Sequence, residues 1–245
     1  MREKTIIMIY KTYLRNHAVY PGREKALHTF LNATLERNGK KEKHKIRYCC
    51  SSNSEDALTW SCFDVLRQQP HENIVQALNE IMEDAFDGKR DFSFENEQDI
   101  VIHIGKNYVA NATGEDTELD VSIETADKLI FIEAKLYSKI SLPDDTTPYD
   151  QIIRKLRVGL DVAKRENKKF YFIFLDIAPM DKILQYGNEK AVSAEYFKQY
   201  KKHSVTLADK LIDNTYESLE KISENMGWLT WASLFKTVLR AVIKP

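Results

Sequence analysis

Residues 117–135 read TELDVSIETADKLIFIEAK, and this stretch decides the fold. Residues 117–124 alternate strictly between polar and apolar side chains, which is the pattern of a half-buried strand. The apolar face of that strand carries Leu119, Val121 and Ile123. Residues 128–136 form a second strand that is apolar apart from two charges, and residues 124–127 form the loop between the strands. The stretch therefore predicts an antiparallel β-hairpin.

The hairpin brings two acidic residues together. If Glu124 and Leu129 flank the loop, Asp120 on the first strand lies directly opposite Glu133 on the second. Directly opposed residues have Cβ atoms about 4.5–5.5 Å apart. Two carboxylates at that separation repel each other unless a cation lies between them. Glu133 and Lys135 are two residues apart, so they share one face of the strand.

These charges favour a metal site over a structural ion pair. Glu133 and Lys135 could satisfy each other, but Asp120 would then add a second buried negative charge, which is costly. Mg²⁺ (or Mn²⁺) resolves the conflict, because hard cations prefer oxygen ligands and Mg²⁺ is often held by one or two carboxylates plus a substrate phosphate. We expect Asp120, Glu133 and the carbonyl oxygen of Ala134 to hold the ion. Lys135 would orient or deprotonate a water, or stabilise charge on phosphorus, as suits phosphodiester hydrolysis.

The same residues resemble a known family. Asp120 followed by the sequence IEAK at 132–135 resembles the catalytic motif of the PD-(D/E)XK nuclease superfamily, which has the restriction-endonuclease-like fold. In that family an acidic residue on one strand precedes Glu-x-Lys on the next strand, and a helix follows. A glutamate on an upstream helix and a glutamine on the later helix are common, and Glu55 and Gln151 occupy these places. The resemblance covers residues 51–177.

The resemblance implies a Mg²⁺-dependent nuclease that hydrolyses phosphodiester bonds of DNA. Its implied catalytic residues are Asp120, Glu133, Lys135, Glu55 and Gln151, and its implied phosphate-contacting residues are Arg154 and Lys155. The chain departs from the pattern twice, with Leu119 where the name of the motif has Pro and Lys155 where one subgroup has Tyr. DNA or RNA as substrate, and assembly as a homodimer, stay open.

Two other interpretations are retained. The first is a catalytically inactive module of the same fold that binds nucleic acid or a protein partner. The second is an α/β interaction protein in which Asp120, Glu133 and Lys135 are a structural network; it predicts that the two carboxylates lie apart.

The helical residues are also open to more than one interpretation. Ser52 and Glu55 have the spacing of a capping box for a helix that continues through Leu66, so Glu55 could be a capping residue. Asp56 is the alternative upstream acid. Gln151 could equally be a solvated residue at the start of its helix.

The rest of the chain predicts one α/β domain over 1–245. We expect a catalytic core over about 51–177, with a mixed central sheet from about 92 to 177 flanked by helices. Residues 105–116 are polar and typical of turns, and the continuous apolar run at 169–177 is typical of a buried central strand. Helical extensions are expected over 1–50 and 178–245.

Composition limits the other classes of function. The 245 residues carry a formal net charge of -1, so contact with nucleic acid would need a local basic groove rather than an overall basic surface. Three cysteines, two of them adjacent, favour reduced thiols and a cytoplasmic protein over a disulfide framework. The sequence lacks an apolar segment of spanning length, so no membrane partner is expected.

Overall fold

The computed structural model describes residues 8–37, 40–88, 92–145, 147–214 and 216–243. The α-helices are α1 (Glu24–Leu31), α2 (His44–Tyr48), α3 (Glu55–Leu66), α4 (His71–Ala85), α5 (Gln151–Glu166), α6 (Met180–Leu184), α7 (Ala191–Lys202), α8 (Leu219–Glu224) and α9 (Trp231–Ile243). The strands are β1 (Leu35–Arg37), β2 (Lys40–Glu42), β3 (Val101–Val109), β4 (Asp116–Glu124), β5 (Lys128–Ala134), β6 (Lys169–Asp176) and β7 (Met226–Thr230). In the described ranges, no helix combines the length and apolar character needed to cross a bilayer.

An open sheet of five strands organises the fold, in the order β3-β4-β5-β6-β7. Strands β3, β4 and β5 are antiparallel neighbours, whereas β6 runs parallel to both β5 and β7. Helix α5 makes the crossover between the parallel strands β5 and β6, as parallel pairing requires. The predicted α/β class with a mixed central sheet is confirmed, and so is the interior position of β6.

Each face of the sheet is covered by its own helices. Along β5, Ile130 and Ile132 pack in one apolar cluster with α3, α4 and α9, whereas Leu129 and Phe131 pack in the other cluster with α5 and α7. This alternation follows from the two-residue period of a strand. Because both faces are buried, β5 is apolar on both sides, and any charged residue in it must find a partner.

Neither extension is purely helical. The segment 178–245 contributes β7 to the sheet, and the segment 1–50 contains the small antiparallel pair β1-β2 beside α1 and α2. Strand β7 lies against β6 and leads directly into α9, where the indole Nε1 of Trp231 donates a hydrogen bond to the carbonyl of Lys135 at 3.0 Å. The sheet therefore reaches well beyond the predicted boundary at 177, and the first residue of α9 supports the end of β5.

Strand β3 is longer than predicted. The sequence after Ile104 predicts a polar turn region, but the strand continues to Val109 and pairs with β4 along most of its length. Gly105 explains the difference, because its φ of 68° allows the strand to bend without ending. Gly105 lies opposite Asp120 of β4, and these two residues are not paired.

Gly159 allows α5 to approach the sheet closely. A Cβ atom at this position would lie 2.1 Å from Cε2 of Phe170 and 3.1 Å from Cδ2 of Phe131. We expect Gly159→Ala to lower the free energy of unfolding by about 1–2 kcal/mol. Alanine has the higher helix propensity, but the cost of fitting its methyl group against Phe170 is larger than that gain. Urea denaturation measures this change, and a variant more stable than wild type would contradict the close packing of α5.

Candidate active site

The pairing of β4 with β5 places Asp120 beside Glu133. Glu124 pairs with Leu129, as predicted, and the ladder ends at the pair of Val121 with Ile132. The next residues along the two strands are Asp120 and Glu133. Beyond this point the backbone N–H of Ala134 donates to Oδ2 of Asp120 at 2.7 Å. A side-chain carboxylate thus accepts the hydrogen bond that a backbone carbonyl of the neighbouring strand would otherwise accept.

The β3–β4 ladder is interrupted at Asp120. Strand β3 pairs with β4 on both sides of Gly105, but Gly105 and Asp120, which face each other, are not paired. Leu119 packs in the cluster beneath α5, whereas Val121 packs in the cluster on the opposite face of the sheet. The predicted single apolar face of this strand is therefore wrong at Leu119, because the bend at Gly105 interrupts the alternation.

Glu133 is enclosed by the protein, at 1% exposure. Its Oε1 accepts hydrogen bonds from Lys135 Nζ at 2.8 Å and from Gln151 Nε2 at 2.5 Å, and Lys155 Nζ lies 3.3 Å from Oε2. Burial alone would raise the pKa of Glu133, but the lysine charges outweigh it and hold the pKa below the usual value. Glu133 is therefore an anion held by two ammonium groups and an amide.

Lys135 is 7% exposed and keeps its charge. Burial alone would lower its pKa, but Glu133, Asp120 and Glu55 together raise it. The ammonium group lies 3.8 Å from Oε2 of Glu55 in addition to its contact with Glu133. As a permanent cation at neutral pH, Lys135 can orient a water or stabilise negative charge, whereas it is a poor base.

Asp120 carries the electrostatic conflict of the site. Burial, followed by repulsion from Glu133, raises the pKa of Asp120 to about 7, and the nearby lysines only partly oppose this effect. The two carboxylates thus lie close enough to disturb each other's ionisation, as the hairpin register predicts. The structural-network interpretation predicts that the two carboxylates lie on different faces or far apart, and the neighbouring positions of Asp120 and Glu133 at the end of the β4–β5 ladder disfavour it.

Glu55 is directed toward the end of β5. Its Oε1 accepts hydrogen bonds from Leu136 N at 3.2 Å and from Ser138 Oγ at 2.5 Å. Ser54 caps α3 by accepting from the N–H of Ala57, while the hydroxyl of Ser52 accepts from Met8 N instead. The interpretation of Glu55 as the capping partner of Ser52 is therefore wrong.

Asp56, the alternative upstream acid, contacts Lys45 rather than Lys135. Its Oδ1 lies 3.7 Å from Nζ of Lys45, a buried lysine that also contacts the carboxylate of Glu118. Of the two acids, Glu55 is therefore the one that contacts Lys135 directly.

Gln151 joins α5 to the site. Asp150 caps this helix by accepting from the N–H groups of Ile152 and Ile153, so Gln151 is the first helical residue. Its amide nitrogen donates to Glu133, and its amide oxygen accepts from the N–H of Ser141 at 3.1 Å. Gln151 is therefore not a solvated helix residue, because both ends of its amide have partners.

Arg154 and Lys155 are the residues expected to contact phosphate, and that role stays a prediction. Lys155 is 4% exposed, lies beside Glu133 and donates to the carbonyl of Glu118, so its ammonium group already has partners within the protein. Burial of this lysine could not be read from the sequence, because it lies in a run of basic residues. Nε of Arg154 is buried and has no hydrogen-bond partner within the described ranges.

Sequence reasoning missed several members of the site. Lys45 lies near enough for the charge of Asp120 to contribute to its raised pKa. Asp176, at 1% exposure, ends β6, and its Oδ1 lies 3.3 Å from Nζ of Lys190, which also donates to the carbonyl of Leu136. The signal for Asp176 was present, because it is an acid at the carboxyl end of an otherwise apolar strand.

The donor atoms fit a hard cation. Oε2 of Glu133 is buried without a hydrogen bond among the described residues, and Asp120 would gain from a positive charge placed against it. Three or more His, Cys, Asp or Glu side chains do not come together as a metal-binding group anywhere in the described segments. The two carboxylates, with the carbonyl of Ala134 that the sequence adds as an expected third donor, would form a set that Mg²⁺ accepts when water and phosphate supply the remaining ligands.

Comparison of the chain with protein-family models, curated proteins and solved structures gives no match. The functional argument accordingly depends on the geometry of Asp120, Glu133 and Lys135.

Proposed function

We propose that the protein is a Mg²⁺- or Mn²⁺-dependent nuclease that hydrolyses phosphodiester bonds of DNA, with the restriction-endonuclease-like fold of the PD-(D/E)XK superfamily. One observation carries the proposal. Asp120 and Glu133 are neighbours where the β4–β5 ladder ends, and burial together with repulsion from Glu133 raises the pKa of Asp120 to about 7 beside the buried cation Lys135. A site made to bind a divalent cation accounts for this unfavourable placement of like charges.

The order of the elements supports the assignment. Glu55 begins α3, Asp120 lies on β4, Glu133 lies on β5 with Lys135 directly after it, and Gln151 begins α5. This is the order of acid, Glu-x-Lys and glutamine that the resemblance implies. Leu136 N–H binds Glu55, and Gln151 binds Glu133, so residues far apart in sequence contribute to one site.

The residues of the chain have separable roles in the proposed reaction. Asp120, Glu133 and the carbonyl of Ala134 would hold the ion, which when bound acts as a Lewis acid and lowers the pKa of a bound water. Lys135 orients the attacking water and stabilises negative charge that develops on the phosphate. Gln151 and Lys155 are positioning residues, because they contact Glu133 and fix its carboxylate.

The competing function is a catalytically inactive module that binds nucleic acid or a protein partner. The observation that favours it is the neutralisation of Glu133, whose two oxygens already lie beside Lys135 and Lys155. A cluster satisfied in this way would gain nothing from an added cation, so the two functions differ in their response to metal.

We expect Mg²⁺ and Mn²⁺ to raise the Tm of the purified protein, because a ligand that binds the native state alone stabilises it by about 2.7 kcal/mol at 100 times its Kd. The same ions should support cleavage of plasmid DNA, and chelator should stop it. Incubation with plasmid, single-stranded DNA and RNA, each with Mg²⁺, Mn²⁺ or chelator, measures the substrate class. A protein without a metal-dependent Tm shift and without cleavage of any substrate would favour the inactive module.

A further inference from the structure

A surface cleft of about 380 Å³ lies beside the candidate site. We call it the Tyr137 cleft, and its lining residues are Asn53, Tyr137, Asn188, Glu189 and Lys190. It combines an exposed aromatic ring, two side-chain amides and an ammonium group. These are the groups that hold an unstacked nucleic-acid base, by stacking, by hydrogen bonds to the base edge and by charge.

Tyr137 follows Lys135 by two residues, so at most about 7 Å of backbone separates them. The residues on either side of Tyr137 are fixed, because Glu55 accepts hydrogen bonds from Leu136 N and from Ser138 Oγ. The Tyr137 side chain itself is directed outward and is 53% exposed. The backbone is thus held rigidly by a site residue while the ring is presented to solvent.

Lys190 fixes the other side of the Tyr137 cleft. Its Nζ lies 5.7 Å from the centroid of the Tyr137 ring and donates to the carbonyl of Leu136. The same group lies 3.3 Å from Oδ1 of Asp176, a buried acid at the end of β6. Glu189, the acid of the cleft, lies 3.5 Å from Nζ of Lys139. The cleft therefore offers a preorganised ring with a cation beside it, and its exposed acid is paired.

We propose that the Tyr137 cleft binds the base of a nucleotide next to the scissile phosphate, with the base stacked on Tyr137. This inference rests on the proposed function, since it takes the phosphate to lie at Asp120 and Glu133. The faces of a base are accessible only when it is unstacked, so the occupant is single-stranded nucleic acid or a nucleotide turned out of a duplex. The substrate class of the nuclease is thereby narrowed to strands with unpaired bases.

Binding without cleavage tests the cleft directly. The full chain in chelator is titrated into a short fluorescein-labelled oligothymidylate, and anisotropy gives the Kd. We expect Tyr137→Ala to weaken binding about 5- to 100-fold, because stacking on an aromatic side chain is worth about that much per base. Tyr137→Phe keeps the ring and should bind as wild type does. Tyr48→Ala is the matched control, because Tyr48 is 57% exposed and lies outside the cleft.

The outcomes separate this inference from the proposed function. Equal Kd values for wild type and Tyr137→Ala, or no binding by wild type, overturn the inference whether or not the protein cleaves DNA with Mg²⁺. A Tyr137→Phe variant that loses as much affinity as Tyr137→Ala also overturns it, because stacking does not need the hydroxyl. Ring-dependent binding by a protein that cleaves no substrate would support the cleft while the nuclease proposal fails.

Discussion

Replacing Asp120 with asparagine should abolish metal-dependent cleavage and, at the same time, stabilise the metal-free fold. The amide oxygen can still accept the hydrogen bond from Ala134 N, but the charge that a cation needs is gone. We expect at least about a 10²-fold loss of cleavage, as for removal of other transition-state-stabilising groups. Stability should rise because the variant removes a half-buried negative charge that Glu133 repels.

The stabilisation should depend on pH in a defined direction. The pKa of Asp120 is raised in the folded state, so wild type loses stability as the pH rises from about 4 to about 7, where the unfolded chain releases its proton more readily. Asp120→Asn does not lose stability in this way. Its free energy of unfolding should exceed that of wild type by on the order of 1–3 kcal/mol at pH 8, and the difference should be small at pH 4.

Urea denaturation in chelator at the two pH values measures the difference. Asp116→Asn is the matched control, because Asp116 is an exposed residue of the same strand. A destabilised Asp120→Asn variant would mean that the carboxylate supports the fold, and full cleavage by this variant would remove Asp120 from the active site.

Replacing Lys135 with methionine should cost far more activity than the same replacement of Lys155. Both ammonium groups flank Glu133, at 2.8 and 3.3 Å, and both are buried. Either replacement removes one of the two cations that hold Glu133, so each should lower stability by about 1–3 kcal/mol. In the proposed reaction Lys135 acts on the attacking water and the phosphate, so its loss should reduce cleavage at least about 10²-fold.

We expect Lys155→Met to retain cleavage within about tenfold of wild type, because that lysine positions Glu133 from the side of Glu118. Initial rates of plasmid cleavage, compared after denaturation curves verify folding, distinguish the two variants. Equal losses of activity would mean that Lys135 acts by holding Glu133, and the direct role proposed for it would be wrong.

The hairpin and the position of its acids could be predicted because they depend on local rules. Alternation over 121–124 and a short loop fix the register, and continuing that register by one residue places Asp120 beside Glu133. The position of β6 inside the sheet could be predicted because the continuous apolar run at 169–177 would be unfavourable in a strand with a solvent-exposed face. In each case the pattern within one segment determines the outcome.

Other features depend on contacts between distant segments and had no local signal. Strand β7 is five residues long and contains Gly227, so its strand character depends on pairing with β6. The irregularity at Gly105 matters for the site only because pairing of β3 with β4 places Gly105 opposite Asp120. Lys155 belongs to a basic run of the kind found on solvated faces, but the packing of α5 on the sheet brings its ammonium group to Glu133.

The hydrogen bond from Trp231 to the carbonyl of Lys135 has a consequence for the timing of biosynthesis. The two residues are 96 positions apart in the chain. At about 5–20 residues per second, the ribosome adds the residue that secures the end of β5 roughly 5 to 20 s after the lysine itself has been incorporated. A nascent chain would carry every acidic and basic group of the centre before the last support is made, so hydrolytic competence would be gained late in translation.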